Sequence, residues 1–276
     1  MALKSLSTST IRQNLTKSNT FNTGIVRNDL RFSIHAEKNL DSSNTIPDLS
    51  GNGYNATKTS QLTTNSLGYW DFGITPHIDK YILIPKETIL GSTNWSLEFW
   101  LSADMISGRY WFHAGGSVNR HLFGPAGINN LYSTINWYMP FVTSQVIDSF
   151  VAISDSGSYQ LVQNKLFISQ LHHIVCTVEP NLIKMYIDGE FWFRTPLTQS
   201  DGSPFVANTQ ASCSTLNNSY WFGQELDTDG ESAEPNPYAL DRNQSFLGKL
   251  YSMRMYNKTL SDKEVSQNFR AGVAAK

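Results

Sequence analysis

Apolar and polar side chains alternate with a period of two in several short stretches of this chain. Residues 95–102 give the clearest case, with apolar side chains at every second position: Trp95, Leu97, Phe99 and Leu101. Polar residues such as Ser96, Glu98 and Ser102 stand among the positions between them. This alternation predicts a β-strand with one strongly apolar face. Residues 246–256 are apolar on both faces, which predicts a central strand.

Three further apolar runs lie close together and are separated only by turn residues. Residues 172–178, 182–187 and 190–194 form the runs, and Asp188-Gly189 separates the last two. Asp-Gly between two apolar runs is a strong hairpin signal, because both central residues of the turn need a positive φ. The pattern predicts a three-stranded antiparallel meander.

One short helix is predicted near the end of the chain. Ser261 and Glu264 have the spacing of a capping box, and Leu260 and Val265 occupy the two positions of a hydrophobic staple. Gly272 is placed to end the helix. Signals for a helix elsewhere are weak, so the sequence predicts an all-β fold with this helix as an addition.

Four motifs occur in a fixed order between residues 25 and 272. They are an opening strand with its Asp-Leu-Ser-Gly-Asn-Gly turn (25–30 and 48–57), a Trp-rich strand (94–100), the Asp-Gly hairpin (184–189) and the final strand with its helix (246–265). Together they resemble the laminin-G-like domains of the concanavalin A-like lectin/glucanase superfamily, in the form found in bacteriophage structural proteins. The resemblance implies an antiparallel two-sheet jelly-roll sandwich with one short C-terminal helix. Residues 110–166 contain no motif of the family.

Composition and length favour one domain preceded by an arm. A β-sandwich can use about 200–250 residues as a single domain. Charged residues make up only 16% of this chain, compared with about 25% in typical globular domains, which favours strands and loops over salt-bridged helices. We therefore predict a concanavalin A-like sandwich over residues 25–276 and an extended polar arm over residues 1–24.

The arm has a composition of its own. Ser, Thr and Asn supply half of residues 1–24, and the segment has basic residues but no acidic ones. Such a segment cannot form a core, and a disordered tail is one interpretation. The other is an arm that docks on a neighbouring protein through six residues: Leu3, Leu6, Ile11, Arg12, Leu15 and Phe21.

Charge argues against two classes of partner. The formal net charge is −2, and no block of five like charges occurs. The chain therefore lacks the basic surface that binding to nucleic acid or to an anionic membrane requires. No apolar run approaches the roughly 18 residues of a membrane-spanning helix.

Catalysis by a carboxylate pair is not expected. Retaining glucanases place two carboxylates about 5–5.5 Å apart, which acids alternating along one strand can supply. Glu98 and Asp104 are too far apart in sequence for this, and Asp188 and Glu190 flank a hairpin turn. The sequence predicts a protein that is not an enzyme and has no catalytic residues.

A metal or glycan site is the alternative for two groups of residues. Carboxylates at alternate loop positions can bind Ca²⁺, and one acidic cluster has this spacing: Glu225, Asp227, Asp229, Glu231 and Glu234. The cluster lacks a complete calcium-loop pattern, so a solvated loop without a cofactor is the first interpretation.

Aromatic residues occur in clusters at 110–112, 137–138, 192 and 220–222. These aromatic residues are expected mainly in the core, with stacking on sugars as the alternative.

The resemblance implies a function in an assembly. It suggests a non-enzymatic virion protein, such as a capsid decoration protein or another component of the particle surface. The arm would anchor it to other virion proteins, the major capsid protein or sister subunits, and a homo-oligomer is expected. A carbohydrate-binding lectin or adhesin module is the alternative, and a glycan hydrolase is the third interpretation.

Overall fold

Short strands make up most of the structure. The computed structural model describes residues 24–40, 43–88, 94–103, 109–110, 112–114, 134–143, 146–154, 159–167, 170–179, 182–196, 219–223, 226–227, 239–240 and 245–273. In chain order the strands in these ranges are β1 (Leu30–His35), β2 (Thr45–Ile46), β3 (Ala56–Lys58), β4 (Thr63–Asn65), β5 (Tyr69–Gly73), β6 (Ile82–Pro85), β7 (Trp95–Ala103), β8 (Arg109–Tyr110), β9 (Phe112–Ala114), β10 (Thr134–Thr143), β11 (Val146–Ser154), β12 (Tyr159–Phe167), β13 (His172–Glu179), β14 (Leu182–Ile187), β15 (Glu190–Pro196), β16 (Ser219–Phe222), β17 (Leu226–Asp227), β18 (Ala239–Leu240) and β19 (Gly248–Tyr256). Helix α1 spans Asp262–Ala271, and short 3-10 helices span Ala36–Lys38 and Lys86–Thr88.

The strands form two main antiparallel sheets. The first sheet has the order β15-β14-β13-β7-β19-β5-β4, and β1 also pairs with β19. The second has the order β2-β3-β6-β16-β9, and a further sheet, β12-β11-β10-β8, lies next to it through β9 and β10. This architecture confirms the predicted antiparallel jelly-roll sandwich with one C-terminal helix. The division into an arm and a domain at residue 25 stays a prediction.

The main core lies between the first and second sheets. Trp95, Phe99 and Met253 of the first sheet are fully buried there, as is Phe222 of the second. The ring of Phe222 meets that of Phe72 at 5.4 Å in an edge-to-face contact. Aromatic pairs of this kind add about 0.5–1.5 kcal/mol to the burial of their area. The apolar face predicted for residues 95–101 therefore forms the centre of the sandwich.

The hairpin and the helix also form as predicted. Asp188 and Gly189 have φ values of 52° and 81°, and β13, β14 and β15 form the meander. The Ser261 side chain accepts from the Glu264 amide, and the Glu264 carboxylate accepts from the Ser261 amide, which completes the capping box. Gly272, with φ 89°, follows the last helical turn.

Helix α1 covers only part of the outer face of the first sheet. A second apolar cluster lies beneath it and contains Ile25, Val26, Leu30, Val175, Tyr186, Tyr256, Leu260 and Val265. The ring of Phe269 stacks on Trp100 of β7 with centroids 5.8 Å apart. The outer face over β4, β5 and the beginning of β19 instead has partly exposed residues. Among the described residues no helix has the length and apolar character that crossing a membrane requires.

Candidate functional site

Polar and aromatic side chains form a grid on the part of the outer face that α1 leaves uncovered. Thr63 and Asn65 of β4 pair with Asp71 and Tyr69 of β5, and Asp71 pairs in turn with Lys249 of β19. Residues directly opposite each other in an antiparallel pair share one face of the sheet. The intervening residues, such as the fully buried Trp70, face the core. We call this grid, together with Tyr251, the outer platform.

Two tyrosine rings occupy the centre of the outer platform. The Tyr69 and Tyr251 centroids are 5.4 Å apart, and the ring planes are inclined at 53°. The ammonium group of Lys249 lies 5.6 Å from the Tyr69 ring centroid, within the range of a cation–π contact. All three residues are partly exposed, so the platform combines ring surface with hydroxyl and ammonium groups.

Strand β19 contains an irregularity next to Tyr251. The register between β19 and β7 shifts between Leu250 and Ser252. Leu250 and Met253 both face the main core although they are three positions apart. Strict alternation cannot place both side chains on one face, so the strand contains an extra residue between them. The extra residue reverses the alternation for the residues that follow it. Tyr251 lies two positions after Lys249 on the same face, where its ring meets Tyr69.

The turn before Tyr69 is held tightly. The Gly68 amide donates to the Asn65 carbonyl at 2.9 Å, and the Leu67 amide donates to the Asn65 side-chain oxygen at 2.8 Å. Gly68 has φ 81°, and a Cβ atom there would lie 2.5 Å from the Glu37 side chain. Only glycine fits this turn without strain. The beginning of β5 is therefore fixed against the 3-10 helix that contains Glu37.

A second group of polar side chains is buried beneath α1. Glu98 of β7 and Arg254 of β19 are 0% and 1% exposed, and the guanidinium donates to the Glu98 carboxylate. The His173 Nε2 atom lies 3.2 Å from the same carboxylate oxygen. The other Glu98 oxygen accepts from the Asn268 amide of α1 at 2.6 Å and from the Tyr256 hydroxyl at 3.3 Å. We call these five residues the buried network.

The buried network joins three parts of the fold. It links the central strands of the first sheet to α1 through Asn268. The Asn268 side-chain oxygen also accepts from the Val26 amide at 2.8 Å. The segment that precedes β1, the helix and the sheet therefore meet at one amide side chain, which indicates a structural role.

Glu98 is ionised in this environment. Burial alone would raise the pKa of its carboxyl, because the charged form loses its hydration. The charge of Arg254 opposes this effect, and contacts with His173 and Asn268 add to the opposition. The net result lowers the pKa of Glu98 to about 2. A buried carboxylate that stays charged at neutral pH cannot act as a general acid there.

The carboxylate of the hairpin turn has contacts of its own. Asp188 accepts from the His173 amide at 2.9 Å, and its second oxygen lies 2.9 Å from the His172 ring. A Cβ atom at Gly189 would lie 2.7 Å from the Phe269 ring. The turn is thus fixed to β13 and packed against α1, which agrees with the turn role expected for Asp188.

The Asp-Leu-Ser-Gly-Asn-Gly motif forms a closed turn. One Asp48 oxygen accepts from the Ser33 and Ser50 amides, and the other accepts from the Ser50 hydroxyl and the Tyr54 amide. These four bonds range from 2.7 to 3.1 Å. The carboxylate serves to shape the loop and to tie it to β1.

Most residues singled out in the sequence for binding lie outside the described residues. This holds for all six arm residues: Leu3, Leu6, Ile11, Arg12, Leu15 and Phe21. Of the acidic cluster only Asp227 falls in a described strand, β17. Within the described ranges, no group of three His, Cys, Asp or Glu side chains is arranged for a metal ion. The arm and the calcium alternative therefore stay predictions.

Sequence reasoning missed both the outer platform and the buried network. A signal for the network exists in the sequence, because Glu98 and Arg254 are each followed two positions later by an aromatic residue, Trp100 and Tyr256. Residues two apart in a strand share a face, so in each strand a charged side chain shares its face with a large aromatic one, a pattern that indicates a covered face. The platform depends on strand order and register, which no local pattern in this chain indicates.

The matches to known proteins agree with this architecture. Residues 76–266, more than half of the chain, match the sequence profile of a laminin-G-like family of the Concanavalin A-like lectin/glucanases superfamily. The chain matches no curated protein by sequence.

Several solved structures share the fold at low sequence identity. The binding domain of Paraclostridial Mosquitocidal Protein 1 matches with a TM-score of 0.53 and 16% identity, over 88% of this chain and 52% of that one. The receptor binding domain of Botulinum neurotoxin type G gives 0.53 and 10%, over 88% and 51%. The binding domain of Botulinum neurotoxin DC in complex with SialylT gives 0.52 and 11%, over 89% and 52%.

This chain spans about half the length of those structures, and at such identities the likeness shows the fold alone. The family profile is the stronger finding, because it covers the Trp-rich strand, the meander and the first half of the final helix in one match. The chain therefore belongs to the concanavalin A-like lectin/glucanase superfamily.

Proposed function

We propose that this chain is a glycan-binding module of the lectin type and has no hydrolase activity. Its superfamily is described by two activities toward glycans, binding by lectins and cleavage by glucanases. The carboxylates of the strand motif (Glu98) and of the hairpin motif (Asp188) both make structural contacts, which supports binding. Glu98, on the Trp-rich strand, is fully buried and paired with Arg254. This observation is the main reason to favour binding over cleavage.

The remaining contacts point in the same direction. Hydrolysis of the glucanase type needs a carboxyl that changes its protonation state beside the glycan. Glu98 is held as a carboxylate away from the surface, and Asp188 is engaged by His172 and the His173 amide. Binding needs neither of these groups, so a lectin function is compatible with the structural roles of both.

A glycan microarray tests the proposal directly. The purified full chain is applied to immobilised neutral and acidic oligosaccharides, once with calcium chloride and once with EDTA. We expect saturable binding to at least one class of glycan, and no release of reducing ends when the bound glycan is incubated with the protein in solution.

Each alternative has its own signature in this experiment. Blank arrays under both conditions contradict a lectin function. Continuous release of reducing ends contradicts the absence of hydrolysis. Binding that disappears in EDTA supports calcium binding, the alternative interpretation of the acidic cluster at residues 225–234.

A position on a bacteriophage particle, with virion proteins as partners, stays a prediction of the family resemblance. One observation bears on how an arm is attached. The Gly24 carbonyl accepts from the Gln267 side chain at 2.6 Å, and the Val26 amide donates to Asn268 at 2.8 Å. Residues 24–26 are therefore fixed beside α1, at the point where the predicted arm ends.

Deletion of residues 1–23 tests the arm. The variant keeps Gly24, so it retains the contacts with α1. We expect the full chain to form a homo-oligomer in light scattering and the shortened chain to be a monomer with unchanged glycan binding. An equal mass for both proteins contradicts an arm that joins sister subunits. Equal co-sedimentation of both with phage particles contradicts an arm that anchors the protein to a virion.

A further inference from the structure

The outer platform is one part of the first sheet whose outward side chains are accessible. Tyr69, Asp71, Lys249 and Tyr251 are partly exposed, and Thr63 is exposed. Farther along the same face α1 buries the side chains, as it does for Trp100. The platform therefore lies next to the region that α1 covers. Three neighbouring strands, β4, β5 and β19, contribute side chains to the platform.

Its side chains have the chemistry that a sugar ring requires. A pyranose has faces of C–H groups and an edge of hydroxyl groups. A tyrosine ring offers apolar surface to the former, and its hydroxyl can donate and accept hydrogen bonds with the latter. Asp71 adds an acceptor and Lys249 adds donors, while Thr63 and Asn65 can do both. A few polar groups around an apolar surface are typical of small-molecule sites.

The balance of charge selects the class of glycan. Asp71 and Lys249 lie directly opposite each other in the register of β5 and β19. Their formal charges are opposite, and the other three members of the grid, Thr63, Asn65 and Tyr69, carry none. The side chains of the platform thus have no excess charge among themselves to attract a uronic or sialic acid. Strands lie about 4.8 Å apart, so β4 to β19 spans roughly 10 Å, which favours a short oligosaccharide over one ring.

The platform is also held in place before any ligand binds. Trp70, Phe72 and Leu250, which alternate with its residues, are all fully buried. The Gly68 turn fixes the beginning of β5 against the Glu37 side chain. The contacts of the Tyr69 ring with Tyr251 and with the Lys249 ammonium restrain the tyrosines. A surface fixed in this way loses little conformational freedom on binding.

We propose that the outer platform, formed by Thr63, Asn65, Tyr69, Asp71, Lys249 and Tyr251, is the glycan site of this module and takes a short neutral oligosaccharide. This inference rests on the proposed glycan-binding function. It adds the location of the site and the class of its ligand, neither of which follows from membership of the superfamily.

Titration of variants with neutral oligosaccharides tests the location. Maltohexaose, cellohexaose, xylohexaose and laminarihexaose serve as neutral probes, and a galacturonic acid hexamer serves as the acidic probe. We expect Tyr69→Ala and Tyr251→Ala each to weaken the binding of the best neutral probe about tenfold. A loss of this size is usual when an aromatic side chain that a bound partner covers is removed. The variants Tyr69→Phe and Tyr251→Phe keep the ring and should lose less.

Phe191→Ala is the matched control. Phe191 is an aromatic residue on β15 of the same sheet and is 51% exposed, but β15 is at the opposite end of the sheet from β4. Its replacement should leave the dissociation constant unchanged. Thermal melting of every variant checks that the fold is retained, and the Tyr→Phe pair remains informative if either alanine variant fails to fold.

The outcomes separate this inference from the function on which it rests. Binding to a neutral probe that survives all four tyrosine substitutions overturns the platform as the site, while the lectin function stands. Stronger binding of the acidic hexamer overturns the ligand class. No glycan binding by the unaltered chain overturns both. If Tyr69→Ala changes the mass in light scattering and not the affinity for glycan, the platform is a contact between copies of the chain, and the inference is wrong.

Discussion

Replacement of Glu98 with alanine should lower the free energy of unfolding by about 3–5 kcal/mol, the usual cost of removing one partner from a buried ion pair. The substitution leaves the Arg254 guanidinium, only 1% exposed, without the carboxylate that compensates its charge. It also removes the acceptor of the Asn268 amide and the Tyr256 hydroxyl. Urea unfolding followed by tryptophan fluorescence measures the change.

Glu179→Ala provides the control for this variant. Glu179 lies 2.6 Å from the Lys184 ammonium, but the two side chains are 33% and 27% exposed. Exposed pairs contribute about 0–1 kcal/mol, so this variant should change the unfolding free energy little. If Glu98→Ala costs no more than Glu179→Ala, the buried network does not stabilise the fold.

A double-mutant cycle separates the ion pair from the other contacts of Glu98. Glu98→Leu, Arg254→Met and the double variant are compared with the unaltered chain. We expect the double variant to be more stable than the sum of the single losses predicts, because neither single charge is then left in the core. Additive losses would show that Glu98 acts mainly through Asn268 and Tyr256.

The strand of residues 95–101, the hairpin and the helix could be predicted from the sequence because their signals are local, whereas the two-sheet jelly roll was expected from the family resemblance. The φ values that Asp188 and Gly189 adopt are those that an Asp-Gly turn demands, and Ser261 and Glu264 cap α1 through their own backbone neighbours. The period-two pattern of residues 95–101 identified the face that now packs in the main core. Each of these features depends on a few consecutive residues.

The surfaces could not be predicted in the same way, because they depend on which strands become neighbours. Lys249 lies opposite Asp71 although the two are far apart in sequence. Tyr251 shares the outer face with Lys249, but counting back from the core residue Met253 across the bulge would place it in the core. Period-two counting assigns residues of β19 to the wrong face on one side of that bulge. The outer platform therefore emerges only from sheet order and register.

The buried network shows a related limit of sequence reasoning. The alternation in β7 predicts an apolar face and a polar face, and a polar face is normally solvated. Here every residue of β7 is buried, because α1 and Val26 cover the second face. The sequence shows Glu98 as a polar position of the strand with the wrong spacing for a catalytic pair, and its contacts assign it to the buried network.

Acid should remove the stabilisation that Glu98 provides, and the sign follows from its lowered pKa. The ordinary pKa of a glutamate is 4.5, and that of Glu98 in the folded chain is about 2. Above about pH 4.5 the carboxylate is ionised in both states, so its contribution is complete. As the pH falls from 4.5 toward 2, the unfolded chain takes up the proton first, and stability decreases by about 3 kcal/mol in total.

Comparison with Glu98→Gln isolates this effect from the other carboxyl groups. Those groups titrate in both proteins. The difference in unfolding free energy between the unaltered chain and Glu98→Gln should therefore shrink as the pH falls from about 4.5 toward 2. Urea titrations at several pH values measure it. A difference that stays constant below pH 4.5 would mean that the folded and unfolded states bind this proton equally well, which a fully buried carboxylate paired with Arg254 cannot do.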